Sequence, residues 1–106
     1  PTAITRYPTG RYGLVGSVPM ALTKPQIHGT PQVPPARTSQ VWDTEQEAIL
    51  ALLTLGMTHF QRADCTWYDA EPHSTITDED GLVVGRFYPD WGGLSLPPER
   101  KGNDLP

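Results

Sequence analysis

DTEQEAILALLTLGM, residues 43–57, carries its own start, its own buried face and its own stop, and the fold class is decided by it. Thr44 and Glu47 stand three residues apart, the spacing of a capping box, in which the threonine hydroxyl accepts from a free backbone amide and the glutamate reaches back to the cap. Glu45 and Glu47 also place negative charge at the positive end of the helix dipole. Ala48, Ile49, Leu52, Leu53 and Leu55 then recur at helical spacing, with Gln46, Glu47 and Thr54 falling away from that stripe. Gly56 can take the left-handed conformation that ends a helix, and Met57 can pack back on Leu52. The spacing predicts a helix over about 44–55. A continuation to about Arg62 is the alternative, because Met57, Phe60 and Ala63 keep the period and an internal glycine costs only about 1 kcal/mol.

Outward from the helix, the flanks read as strands. Residues 4–7 and 11–18 are strand-like runs joined by Pro8-Thr9-Gly10, a hairpin signature. A short strand-like run at 38–42 leads into the helix cap. After the helix, 58–61 and 65–68 are rich in β-branched and aromatic residues and read as one bent strand broken near Ala63-Asp64. Residues 74–77 and 82–88 flank Asp78-Glu79-Asp80-Gly81, whose Asp-Gly closes a second hairpin. The fold class expected is α+β: an antiparallel sheet of four to five strands with one amphipathic helix packed on one face. One helix covers one side of such a sheet, so the other face is left to water or to a partner.

At 106 residues the chain is the size of one domain. Residues 1–96 are assigned to that domain. Twelve prolines and ten glycines are about a fifth of the chain and imply long irregular segments. The first is a proline-rich loop at 19–37, with Pro31-Gln32-Val33-Pro34 in the P-x-x-P form and Arg37 nearby, which also reads as an arm reaching a second subunit. The second is a C-terminal tail at 97–106, expected to be flexible. No apolar run approaches the roughly 18 residues of a membrane span. The single cysteine suits a reducing compartment. A cytoplasmic chain without a membrane partner is the expectation.

Charge is divided along the chain. Residues 1–42 hold Arg6, Arg11, Lys24 and Arg37 and no carboxylate, whereas 43–106 hold all twelve acids against four bases. Four scattered bases are few for nucleic acid, whose binders show a dense basic stripe. Pairing of the two halves, within one chain or between two, is the simpler consequence.

Motifs for catalysis are weak. His28, His59 and His73 are dispersed, with no metal-ligand spacing, and no cofactor signature is present. Asp78-Glu79-Asp80-Gly81 has Ile76 where a calcium loop opens with an acid. Cys65 reads as a small buried apolar residue, and on a single strand His59 would lie about 20 Å from it. Pro1 resembles the terminal proline of tautomerases, whose secondary amine would imply a general base. The likeness covers that residue alone, since Pro8 and Gly10 turn the chain where those enzymes continue from strand to helix. No catalytic residue is assigned.

The function expected is a non-catalytic binding or assembly module, homodimeric through an uncovered sheet face or edge. Its partner-binding candidates are Arg6, Arg11, Lys24, Arg37, Trp67, Tyr88 and Trp91, because exposed aromatics with few charges mark interfaces. Two alternatives stand beside it. One is a small enzyme or ligand binder with a pocket between the helix and the N-terminal hairpin. The other is a weak binder of nucleic acid or another anion through the basic half.

Overall fold

The computed structural model describes residues 1–22 and 40–95. Its elements in order are β1 (Thr2–Arg6), β2 (Tyr12–Gly16), a 3-10 turn (Met20–Leu22), α1 (Glu45–Thr54), β3 (His59–Gln61), β4 (Trp67–Asp69), β5 (Thr75–Thr77), β6 (Val83–Tyr88), a second 3-10 turn (Pro89–Trp91) and β7 (Gly93–Ser95). Most of the 19–37 loop, with Lys24 and Arg37, and the whole 97–106 tail lie outside the described residues.

The helix begins and ends where its sequence says. The Thr44 hydroxyl accepts from the Glu47 amide at 3.3 Å, and the Glu47 carboxylate accepts from the Thr44 amide at 3.1 Å. At the other end Gly56 has φ +82°, its amide donates to the Leu53 carbonyl at 2.9 Å, and the Met57 amide donates to that of Leu52 at 3.2 Å. Those two bonds define a Schellman ending, and the chain does not continue helically toward Arg62. Ala48, Ile49, Leu52 and Leu53 are buried, while Leu55, at the C-cap, is exposed because the helix has already ended there.

The fold is α+β, but its strands divide into two sheets where a single one of four to five was expected. The first has order β2-β1-β3-β4 and the second β5-β6-β7. The first sheet is also mixed, because β1 and β3 pair in parallel through Ala3 and Gln61. The chain leaves β2 through α1 and comes back as β3 on the far side of β1, running opposite to β2 and therefore in the direction of β1. Trp42 exchanges both backbone bonds with Tyr12 at 2.8 Å, so the run before the helix adds one bridge beside β2.

One core serves both sheets. Ile4 and Leu14 from the first hairpin, Phe60 from β3, and Ile76 and Phe87 from β5 and β6 join the buried face of α1 in a single cluster. Register explains the selection: Ile4 stands opposite Leu14, and Ile76 stands opposite Gly85, which shares its face with Phe87. On the first sheet the alternate residues Ala3, Thr5, Val15, Gln61, His59, Trp67 and Asp69 fall on the face away from this core.

Residues 58–69 are two strands and not one. The Arg62 amide donates to the Thr66 carbonyl at 2.7 Å and the Cys65 amide to the Arg62 carbonyl at 2.9 Å, closing a hairpin between β3 and β4. The same pair of bonds closes the other two hairpins. Tyr7 pairs with Arg11 and Gly10 with Tyr7, both at 2.8 Å; Asp78 pairs with Leu82 at 2.8 Å and Gly81 with Asp78 at 3.0 Å. Each turn needs a left-handed residue at its fourth position. Glycine fills it in two, at φ +87° and +83°, and Cys65 fills it in the third at φ +72°. Cys65 is therefore exposed, where burial was expected, because a turn position points to water.

The comparison gives a prediction. A non-glycine residue in this conformation is strained by about 1–2 kcal/mol, and Cys65→Gly removes that strain while loosening the unfolded chain. The expected net result is a gain of about 0.5–1 kcal/mol in folding stability by urea titration. A loss of stability would show that the thiol makes contacts the turn geometry does not reveal.

Beside Cys65, the Asp64 side chain accepts from the Thr66 hydroxyl and the Thr66 amide. Those bonds hold its carboxyl below the usual carboxylate range. Because the folded value is the lower one, the turn is supported above the ordinary carboxylate pKa and loses that support as pH falls through the folded value. Acid titration followed by the amide resonance of Thr66 should report a midpoint below that of a free aspartate.

Candidate functional site

Sheet β5-β6-β7 ends in a group of rings that the chain builds from two local turns. The first is Glu71-Pro72-His73-Ser74, closed by the Ser74 amide on the Glu71 carbonyl at 3.2 Å. Proline followed by a residue at positive φ is the type II pattern, and His73 takes that position at φ +69°. The His73 amide in turn donates to the Phe87 carbonyl, which pins the turn to β6. The second is the 3-10 turn Pro89–Trp91, started by a proline and ended by Gly92 in the left-handed conformation.

These turns put three rings in sequence. Tyr88 and Trp91 stack with centroids 5.1 Å apart and planes 17° from parallel. His73 lies 4.9 Å from Tyr88 on a tilted plane at 51°. With Pro89 and Asp90 they line an open cleft of about 220 Å³. Trp91 is 80% exposed. A cleft that small takes a side chain or a ring; drug-sized ligands and cofactors occupy roughly 300–1,000 Å³. It also lies on the second sheet, away from the expected position between the helix and the N-terminal hairpin.

A second exposed group sits on the β3–β4 hairpin. His59 and Trp67 stack at 4.5 Å with planes 7° apart, and His59 Nδ1 is hydrogen-bonded to Asp69 Oδ1. Register makes the group: His59 stands opposite Asp69 and Gln61 opposite Trp67, so all four share one face. An aspartate that orients a histidine is half of a hydrolytic arrangement, which also needs a nucleophile within hydrogen-bond reach. The neighbours that the register supplies are Gln61 and Trp67, neither of which is one. Behind this face Phe60 and Tyr68 stack at 5.1 Å, and burial pushes the Tyr68 phenol up.

The predicted partner-binding residues are dispersed among these places. Tyr88 and Trp91 meet in the cleft, and Trp67 belongs to the hairpin of the other sheet. Arg6 and Arg11 lie at the turn of the β1–β2 hairpin, where Arg11 Nε donates to Asp43 Oδ1 at 3.1 Å between exposed side chains. That pair joins the basic first part of the chain to its acidic second part, and at the surface it stabilises little. Lys24 and Arg37 are outside the described residues.

From sequence His73 and His59 are weighed only as metal ligands, and His59 also against Cys65, and neither is assigned to a site. His73 had one local signal, proline at the position before it, which is turn chemistry. His59 needed the hairpin between β3 and β4, and Asp64 beside Cys65 was the trace of it. Among the described residues no three His, Cys, Asp or Glu side chains converge as metal ligands. No helix of the described residues is long and apolar enough to cross a membrane. Comparison of the chain with protein-family models, with curated proteins and with solved structures finds no match.

Proposed function

We propose that the chain is a non-catalytic binding and assembly module that associates with a second copy of itself through the Tyr88–Trp91 cleft. The observation that carries this reading is Trp91, a large apolar ring 80% exposed and already held in place by its stack on Tyr88. Tryptophan and tyrosine supply most hot spots of protein interfaces, because they bury much area with few rotatable bonds. A ring fixed before contact loses less entropy on binding. The cleft size supports recognition of a side chain over turnover of a substrate. Cys65 as the one cysteine of the sequence suits a reducing compartment, and the cytoplasm is our assignment on that ground.

Sedimentation equilibrium tests the reading. Trp91→Ala should weaken self-association by about 30-fold, the equivalent of about 2 kcal/mol at a hot spot. Trp67→Ala, at a ring 47% exposed on the other sheet, should leave association within about twofold, as truncation outside a hot spot does. If Trp91→Ala associates as well as the parent chain, the cleft is not the interface.

A further inference from the structure

We propose that two copies of the chain meet at the Tyr88–Trp91 surface about a two-fold axis, with Arg86 of each copy paired to Asp90 of the other. The pairing rests on the assembly reading above and names the groups that select a second copy as the partner and set its orientation.

Its basis is the order of groups on one face of β6. Arg86 and Tyr88 are two residues apart, with Phe87 between them buried in the core, so both side chains leave the sheet on the side away from that residue. Thr75 and Ser95, which stand opposite Arg86 on β5 and β7, are exposed and carry no charge. Beyond Tyr88 the 3-10 turn brings Asp90 to the cleft beside Trp91. The surface therefore runs from a base through stacked rings to an acid. At about 3.3 Å per residue in a strand and about 2.0 Å in a 3-10 turn, the whole pattern lies within about 11 Å.

Neither charge is answered within the described residues. Their ion pairs join Arg11 to Asp43, His59 to Asp69 and Arg62 to Glu45, and both Arg86 and Asp90 are exposed. Arg86 is the one lysine or arginine of residues 71–95. Asp78, Glu79 and Asp80 lie in the β5–β6 turn at the other end of the sheet. Glu71 is in the turn that carries His73 and does not line the cleft, so Asp90 is the carboxylate beside the exposed ring.

A two-fold interface must be complementary to itself, because each copy presents the same patch to the other. A patch with one sign of charge fails that condition. Here the signs are opposite and stand on either side of the Tyr88–Trp91 stack. With the axis lying across the line from Arg86 to Asp90, a half-turn brings each Arg86 over Asp90 of the other copy, and the rings meet between the two pairs. With the axis along that line like charges would face each other, so the charges choose between the two dockings. A partner of a single charge sign would answer one of the two groups and oppose the other; a second copy answers both. The rings supply the affinity, and charges of this kind act on the choice of partner and the rate of encounter.

Sedimentation equilibrium of the full chain tests the pairing. Arg86→Glu and Asp90→Lys should each weaken the dimer at least about tenfold, since either reversal sets two pairs of like charges face to face. An equimolar mixture of the two variants should associate again as a mixed dimer, because each of its contacts then holds one acid and one base. Circular dichroism should show both variants folded like the parent, as expected for exposed positions. The pairing is overturned if either reversal leaves the dimer intact, or if the mixture stays monomeric, while Trp91→Ala dissociates the parent; the assembly reading then survives with another orientation. Both fall together if the parent chain is monomeric throughout, or if Trp91→Ala is without effect.

Discussion

Gly93→Ala is expected to cost about 3–5 kcal/mol of folding stability, a strained backbone and a steric clash acting together. Gly93 opens β7 at φ +121°, and a methyl group there would stand 2.4 Å from the Thr54 carbonyl oxygen and 2.5 Å from that of Leu53. Neither oxygen can yield cheaply. Both belong to the last turn of α1, and the Leu53 carbonyl already accepts the Gly56 amide that ends the helix. The contact is where β7, and with it the second sheet, lies against the helix that organises the first. A loss of this size is a large share of the roughly 5–15 kcal/mol that holds a small domain. Gly92→Ala isolates the cause, because Gly92 has φ +101° but nothing within 4 Å of its added methyl. Urea unfolding should show Gly92→Ala losing only the strain, about 1–2 kcal/mol, and Gly93→Ala losing clearly more. Equal losses would mean that the approach to the helix is not what selects glycine.

Glu45→Ala should cost about 2 kcal/mol. The Glu45 carboxylate accepts from Arg62 Nη2 at 3.0 Å and from the Ala63 amide at 2.8 Å, tying the first turn of α1 to the end of β3. Its bond raises the Arg62 guanidinium above its ordinary value. Arg62 Nε is buried without a hydrogen-bond partner among the described residues, so this guanidinium depends on Glu45 for its compensation. Removing the acid leaves a partly buried cation and an orphaned amide. The estimate lies below the roughly 3–5 kcal/mol of a fully buried pair, because the Arg62 side chain is 40% exposed and water screens it. Glu45→Gln keeps an acceptor for the Ala63 amide and should lose less. In the Glu45→Ala/Arg62→Met pair no cation is left without a partner, and part of the loss should return. Thermal unfolding of the four chains distinguishes this account from a simple loss of helix-dipole charge, in which the double variant would recover nothing.

The Glu45 contact marks the limit of what could be read locally. From sequence this residue is a favourable charge at a helix start, and it is that; its partners lie 17 and 18 positions away, beyond any local pattern. The same division separates the two aromatic groups. Tyr88 and Trp91 are three residues apart on either side of a proline, close enough for sequence to single out both. His59 and Trp67 come together by the pairing of two three-residue strands, each too short to carry an alternation. One bent strand was the natural reading of that segment, and it separated residues that the hairpin stacks. The segment after Tyr88 shows the same effect: β7 has three residues, two with little strand preference, and exists through its pairing with β6 and its seat on the helix.

By itself the sequence determined the helix and its start, with a stop at Gly56 as the preferred of two endings, and the hairpins closed by Gly10 and Gly81. Each is fixed by backbone bonds that span six residues or fewer, so the information lies within one window of chain. Only the tertiary structure decided that the strands form two sheets, that β1 and β3 run in parallel, that Glu45 holds Arg62, and that Gly93 must be glycine. Those features depend on which distant surfaces share one core, and that choice is made by the packing of the whole chain, which no single window contains.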